Sequence, residues 1–352
     1  MKSLKWKFIL GVAIASLFLA YFFRRANIGE IWQKSQDANI FYLLLALFFV
    51  FLSYLVRSLR WKIMLKPMGE VTLWSSFKIT CIGFMFNNLI PRTGEIARPV
   101  LIGRKEGISI SSALATVFIE RVLDFLTLFS FFALFALFST SSVVHDPGLI
   151  KMGWFLGLIT FFLLVFIAAL KWKASLCLRI FETILKPLPQ RFHQKLLNLL
   201  QLFISGLDIL GNRTSIVYLV ILSFVMWIVI VALTECVILA FAPLLNLQPP
   251  PIGSYFVIST VGVLFCAIAM MVPTPGGMGS FHVMLASVLT LLGEEKVLSN
   301  SIAALTHAIT WFPITITGFI LLYTEGLNLS GLSKTVEQAD TEIPVKKDEG
   351  KI

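Results

Sequence analysis

The sequence is poor in charge. Asp, Glu, Lys and Arg make up 14% of its 352 residues, against about 25% in ordinary soluble domains. Hydrophobic residues make up 57%, and the mean hydropathy is +0.88. A chain this short of charge cannot cover a water-facing surface, so most of its surface must face lipid. Length alone would allow two soluble domains, but the hydropathy overrides that expectation. Cysteine is scarce as well. Cys81, Cys177, Cys236 and Cys266 are scattered, mostly within apolar segments, without a CxxC pair. That argues against a disulfide framework and for small buried hydrophobes. No His, Cys and Asp cluster has metal-ligand spacing, so neither a metal nor a cofactor is expected. The nucleotide-binding GxxxxGK[ST], GxSxG and HExxH patterns are missing, which leaves no recognised catalytic motif.

What is present is long apolar runs with basic punctuation. The net charge is +10, from 29 Lys and Arg against 19 Asp and Glu. In a soluble protein this would suggest nucleic acid. Here the basic residues sit in short loops between apolar runs, as in cytoplasmic loops facing anionic headgroups, and no nucleic-acid partner is expected. The first run, Phe8 to Phe23 behind Lys2, Lys5 and Lys7, lacks a small-residue cleavage site and ends in Arg24-Arg25. It reads as an uncleaved first span.

A hydrocarbon core of about 30 Å needs roughly 20 apolar residues in a helix. Candidate segments fall at 6–23, 40–56, 72–90, 111–138, 150–170, 215–242, 252–272, 280–293 and 301–324. Two are poor spans. Segment 72–90 carries Lys78, Asn87 and Asn88 and runs into Pro91, and segment 280–293 is short and follows a Pro/Gly break.

Charge placement orients the rest. Lys2, Lys5 and Lys7 place the N-terminus inside, and Arg57, Arg60, Lys62 and Lys66 place the loop after the second span inside. The loop 139–149 has no Lys or Arg and belongs outside, so the loop with Arg92, Arg98, Arg104 and Lys105 is inside. Segment 72–90 then begins and ends on one side: it is re-entrant. In the second half, 171–214 is basic and inside, 243–251 is uncharged and outside, and the tail with Lys334, Lys346 and Lys347 is inside. Residues 252–293 then form a second re-entrant hairpin, broken at 273–277 and entering from the opposite face. Segment 252–272 is long enough to cross alone, and the inversion requires that it does not. The expected fold is an all-α membrane protein, a polytopic helical bundle with two re-entrant, Pro/Gly-broken hairpins in an inverted repeat. Such repeats mark alternating-access transporters, with the site at the breaks.

The domain reading is a transmembrane domain over 1–325 and a disordered cytoplasmic tail over 326–352. Within the former, 172–212 is a cytoplasmic connector. Leu196, Leu199, Leu200, Phe203 and Leu207 fall there at helical spacing with Lys195, Asn198 and Gln201 between them, as in an amphipathic surface helix or a connector helix packed on the bundle.

Three stretches could carry chemistry. The first is Asn87 to Arg98, where Pro91 and Gly94 free backbone groups that are costly in hydrocarbon unless they line protein or a wet cavity. Asn87, Asn88, Arg92, Glu95 and Arg98 cluster around that break. The two arginines could grip a phosphate, with Glu95 holding one of them; an ordinary basic loop is the plain alternative. In the second stretch, Glu120 and Asp124 share a helix face at i, i+4 beside Arg121. Ionised groups within a span need partners, and Arg92 or Arg98 could supply them, either in a site or in a structural network. The third stretch is Pro273 to His282. Gly276, Gly277 and Gly279 there let backbone amides approach an anion at a helix N-terminus. Glu235, alone in segment 215–242, is a candidate proton or cation relay or a neutral hydrogen-bonded acid. His282 and His307 read as packing or hydrogen-bonding residues.

The motif from Asn88 through Pro91, Arg92, Gly94 and Glu95 to Arg98 is followed by Glu120, Arg121 and Asp124. Pro273, Pro275, Gly276, Gly277 and Gly279 come third. In this order the three motifs resemble the lysylphosphatidylglycerol synthase transmembrane-region family of flippase-like membrane proteins, over about residues 5–325. The soluble aminoacyl-transfer domain of the named enzyme has no counterpart here, so the resemblance does not imply that activity. It implies movement of an anionic or phosphate-bearing lipid, or lipid-linked precursor, between leaflets of a bacterial or archaeal cell membrane, with both termini cytoplasmic. The headgroup would sit on Arg92, Arg98 and the glycine amides, with Glu120, Asp124 and Glu235 holding the arginines. Two other classes stay open: a non-transporting partner of a lipid-modifying or glycosyl-transferring enzyme, and an intramembrane transferase.

Overall fold

The computed structural model describes residues 2–24, 28–138, 147–186, 189–190, 192–194, 196–197, 201, 204, 213–245 and 254–326. Its helices are α1 (Lys2–Arg24), α2 (Ile28–Gln36), α3 (Ile40–Leu65), α4 (Leu73–Leu89), α5 (Gly94–Glu106), α6 (Ile110–Phe138), α7 (Pro147–Trp172), α8 (Ala174–Leu185), α9 (Arg213–Ala240), α10 (Ser254–Ala269), α11 (Ser280–Leu291) and α12 (Lys296–Thr324). There is no strand among the described residues, and the chain is an all-α membrane protein. α3, α9 from Ser215 onward, and α12 are long and apolar enough to cross a membrane. Their outward faces carry exposed apolar side chains such as Leu44 and Phe48 on α3, Ile221 on α9 and Ile316 and Ile320 on α12. A contiguous apolar exterior of this kind suits lipid and not water. The predicted surface segment 196–207 and the tail from 327 onward lie largely or wholly outside the described residues.

α3 starts where Asn39 Oδ1 accepts from the Phe41 amide at 2.9 Å, and α4 where Thr72 Oγ1 accepts from the Ser75 amide at 3.1 Å. Both fill donors that a helix leaves unpaired at its first turn. α4 stops at Ile90, whose extended backbone precedes Pro91, as the steric rule for a residue before proline requires. α5 ends on Gly107 at φ 68°, the left-handed position glycine fills most cheaply. The sequence reading closed the second span at 56. α3 instead continues to Leu65, because Trp61, Ile63, Met64 and Leu65 pack into the core past Arg57 and Arg60. Those arginines are therefore on a helix, not in a loop.

Two helix–break–helix hairpins dominate the middle of the bundle. In the first, α4 and α5 pack together, and their open ends meet where Ser75 Oγ donates to Glu106 at 2.5 Å. Lys105 reaches Glu325 at 2.5 Å there, and Lys78 bonds the same carboxylate, tying this end to the C-terminus of α12. In the second hairpin, α10 packs on α11, and its open end shares a core with the start of α12 at Leu298. α12 has 29 residues, so its ends stand about 43 Å apart. The hairpins thus approach from opposite ends, and their tips meet beside the middle of α12. The described part of α10, Ser254–Ala269, has 16 residues and is about 24 Å long.

Glu325 closes the outer end of the first hairpin. Hydrogen bonds from Lys105 and then Lys78 hold its carboxyl below the ordinary value. A depressed carboxyl pKa contributes stability above the unfolded value of about 4.3, lost as pH falls through the lower folded value. Glu325→Gln is expected to loosen the end of α12 by about 1 kcal/mol or less, since the site is near the surface. Faster amide exchange over 318–325 at pH 7, with global melting little changed, is the expected readout; unaltered exchange there would show that the tie holds nothing.

Candidate functional site

Six charged side chains from three helices meet inside the bundle. α3 supplies Arg57 and Arg60, one turn apart; α5 supplies Arg98; α6 supplies Glu120, Arg121 and Asp124. Glu120 is fully buried and is the hub. Arg98 forks onto it, Nη1 to Oε1 at 3.2 Å and Nη2 to Oε2 at 3.0 Å. Arg57 Nη1 reaches Oε1 at 3.3 Å, Arg121 Nη2 at 2.8 Å and Arg60 Nη2 at 3.4 Å. Asp124 takes Arg60 Nη2 at 2.6 Å on one oxygen, and Arg57 and Arg121 at 3.5 and 3.4 Å on the other. Arg60 also donates to Ser223 on α9 at 2.8 Å. Trp61 stands under the Arg98 guanidinium at 4.2 Å and Phe84 under that of Arg57 at 4.8 Å. Such faces steady a cation where water is excluded.

Burial of this kind is costly unless every charge has partners. Arg60, Arg98 and Glu120 are at most 2% exposed and are committed to one another. The side chains of Arg57 and Arg121 keep 12% and 31% of their surface. These two form the open side of the cluster.

The second part of the site is where the tips meet. Arg92, exposed at the first break, has φ 62°, the sole positive φ outside glycine among the described residues, and donates to the Met271 carbonyl at 3.1 Å. A left-handed arginine costs about 1–2 kcal/mol, which marks the tip as strained. Asn88 Nδ2 donates to Thr315 Oγ1 at 2.8 Å, and Asn87 Oδ1 accepts from the Gly94 amide at 2.7 Å. On the other tip, a hydrogen bond joins His307 Nε2 and the Gly276 carbonyl at 2.9 Å, and His282 Nδ1 accepts from the Gly279 amide at 3.2 Å. The two imidazoles lie 4.5 Å apart, so the histidines hold the turn as a pair.

The predicted site residues therefore separate into groups. Arg98, Glu120, Arg121 and Asp124 come together, with Arg98 and not Arg92 as the partner of Glu120. Asn87 and Asn88 serve the hairpin and its contact with α12. The amides of Gly277 and Gly279 are turned inward, onto the Thr274 carbonyl and His282. These glycines are needed for closeness: a Cβ at Gly276 would lie 2.4 Å from Trp311 Nε1, and one at Gly279 2.4 Å from Phe18 Cβ. Glu95 is half-buried and within electrostatic reach of Arg121. Glu235 is half-buried on α9 and makes no ion pair among the described residues, so it stands apart from the arginines.

Arg57, Arg60 and Trp61 are members that sequence reasoning missed. Their charge served there only to orient a loop. The available signal was that Arg57 and Arg60, at i, i+3, share a helix face once the apolar pattern is followed to Leu65, which matches the i, i+4 acids of α6.

Comparison with known proteins agrees with this architecture. The lysylphosphatidylglycerol synthase TM region family matches residues 8–318. A UPF0104 membrane protein of Pyrococcus horikoshii is 24% identical over 343 residues, covering 92% of this chain and 97% of its own length. A UPF0104 membrane protein of Methanothermobacter thermautotrophicus is 23% identical over 329 residues, covering 90% and 94%. No solved structure matches. Helices able to span a membrane, a buried arginine–carboxylate cluster carrying the predicted motif, and a match across most of its length place the chain in the lysylphosphatidylglycerol synthase TM region family.

Proposed function

We propose that this membrane protein is a translocase that moves a phosphate-bearing lipid or lipid-linked precursor between leaflets. The observation that carries the reading is the meeting of two broken hairpins, from opposite ends of the bundle, next to helices that hold a buried arginine cluster. Irregular backbone at mid-bundle is tolerated where it is packed in protein or lines a polar path. Broken helices meeting from opposite sides are the arrangement that lets one site face each side in turn. In this reading both hairpins are re-entrant in the membrane, the termini are cytoplasmic, and the Arg92–Met271 bond is a tie that opens as the headgroup passes. Neither tip needs to cross the bilayer; each has only to part from the other.

The test uses variants that keep the fold. Arg92→Gly removes the side chain and relieves the left-handed backbone at once, so stability should stay within about 1 kcal/mol of the parent. Glu95→Ala removes the half-buried acid that faces Arg121. Each is expected to lower the protein-dependent rate of lipid exchange between leaflets by at least about tenfold, a barrier change of about 1.4 kcal/mol. Unchanged exchange by both, in folded and inserted protein, would remove the tip from the mechanism.

A further inference from the structure

We propose that the arginine cluster binds a phosphate monoester, and that Arg57 and Arg121 are the residues that take it. The proposal deepens the translocase reading and rests on it for the lipid that carries the phosphate. Four guanidiniums, on Arg57, Arg60, Arg98 and Arg121, face two carboxylates, on Glu120 and Asp124. Two positive charges are left over in a largely buried cluster among apolar helices. An arrangement kept only for structure would gain from balanced charge, since each surplus buried cation carries a desolvation cost without return. The surplus is what an anion site needs.

Geometry selects the two ligand-binding arginines. Arg60 is completely buried and spent on Asp124, Glu120 and Ser223, and Arg98 is forked onto Glu120 over Trp61. Arg57 and Arg121 alone in the cluster combine surface exposure with positions one contact from the same Asp124 oxygen. They also share Glu120 Oε1. The Nε–H groups of Arg60, Arg98 and Arg121 are all buried without an acceptor among the described residues. Of these three side chains Arg121 is the one that keeps 31% of its surface, so its Nε–H is the one a phosphate oxygen entering from the open side would satisfy. Two planar donors converging from different helices suit a tetrahedral oxyanion.

Charge selects the ester class. A phosphate monoester carries about −1.5 to −2 at pH 7, with its second pKa near 6. A diester carries a single negative charge and would leave a buried positive charge unmatched. Glu95 bears on Arg121 without an ion pair and, being half-exposed, is screened, so it trims the surplus toward the monoester's charge without cancelling it.

The experiment measures binding to the purified full chain in nanodiscs of neutral lipid. The probes are phosphatidic acid and polyprenyl monophosphate as monoesters, phosphatidylglycerol as a diester, and inorganic phosphate. At pH 7.5 the lipid monoesters are expected to bind at least about tenfold more tightly than the diester and than free phosphate. Their advantage should shrink as pH falls through about 6 and the dianion takes up a proton, while the diester stays flat. Arg57→Gln and Arg121→Gln should each weaken monoester binding about tenfold or more and alter diester binding less. Should either variant fail to fold, the pH profile of the unaltered protein decides alone. Equal affinity for both ester classes, flat with pH, would overturn the monoester assignment while leaving translocation of a diester lipid intact. Free phosphate binding as tightly as the lipids would overturn the lipid source. No binding of any probe by folded protein would overturn the site, and leaflet exchange measured separately would still judge the translocase reading.

Discussion

Glu120→Ala is expected to cost about 3–5 kcal/mol of stability, enough to unfold a marginal protein or abolish its accumulation. Glu120 accepts from Arg57, Arg98 and Arg121 and faces Arg60, all within 3.4 Å. Removing it leaves four guanidiniums around a single carboxylate, two of them, Arg60 and Arg98, at most 2% exposed. The gross attraction of the cluster is not the relevant quantity, because burying it intact already cost desolvation. The loss arises because the surviving charges stay buried with fewer partners. The double variant Glu120→Ala with Arg98→Met should therefore be more stable than Glu120→Ala alone, since it also removes the cation that depended most on Glu120. Thermal melting of the detergent-solubilised proteins distinguishes the cases. A single variant that melts with the parent would show that the cluster is wetter and looser than its distances imply.

Gly94→Ala is the second large effect. A Cβ at Gly94 would sit 1.9 Å from the Gly83 carbonyl oxygen and 2.7 Å from its carbon. Both are backbone atoms, so no rotamer change relieves the overlap. α4 and α5 would have to separate at the point of closest approach, and overpacking of this kind costs about 1–3 kcal/mol or more. The same separation would pull Arg98, whose Cγ lies 2.3 Å from a Cβ built on Gly83, away from its seat. Lower melting temperature together with weaker phosphate-probe binding is expected. Gly107→Ala is the contrast: nothing lies within 4 Å of its Cβ, and its cost comes from φ 68° alone, about 1–2 kcal/mol. Equal effects of the two substitutions would contradict the close-approach argument.

The helical character and the positions of the two helix breaks were legible because they rest on local signals. Apolar runs set the long helices, and Pro91, Gly94, Pro273 and Pro275 mark breaks that no continuous helix could hold. The i, i+4 acids of α6 were visible as a buried pair in need of cations. The identity of those cations was not, since pairing across 63 residues from Arg57 to Glu120 leaves no periodic trace. Basic residues near a span end serve equally as topology markers and as buried partners, and only packing decides between them. The glycine-rich turn misled for a related reason. Its residue types fit an anion cradle, but the choice of His282, Trp311 and Phe18 as neighbours turned the same glycines to close packing.

The measurement that tests the central claim most directly is leaflet exchange in proteoliposomes of the purified protein, with labelled polyprenyl monophosphate and phosphatidic acid beside phosphatidylglycerol. Loss of protection for the inner-leaflet label, dependent on protein and reduced at least about tenfold by Arg92→Gly, is the result expected of a translocase with its gate at the hairpin tips. Full protection of every lipid, with the protein folded and inserted, would contradict it.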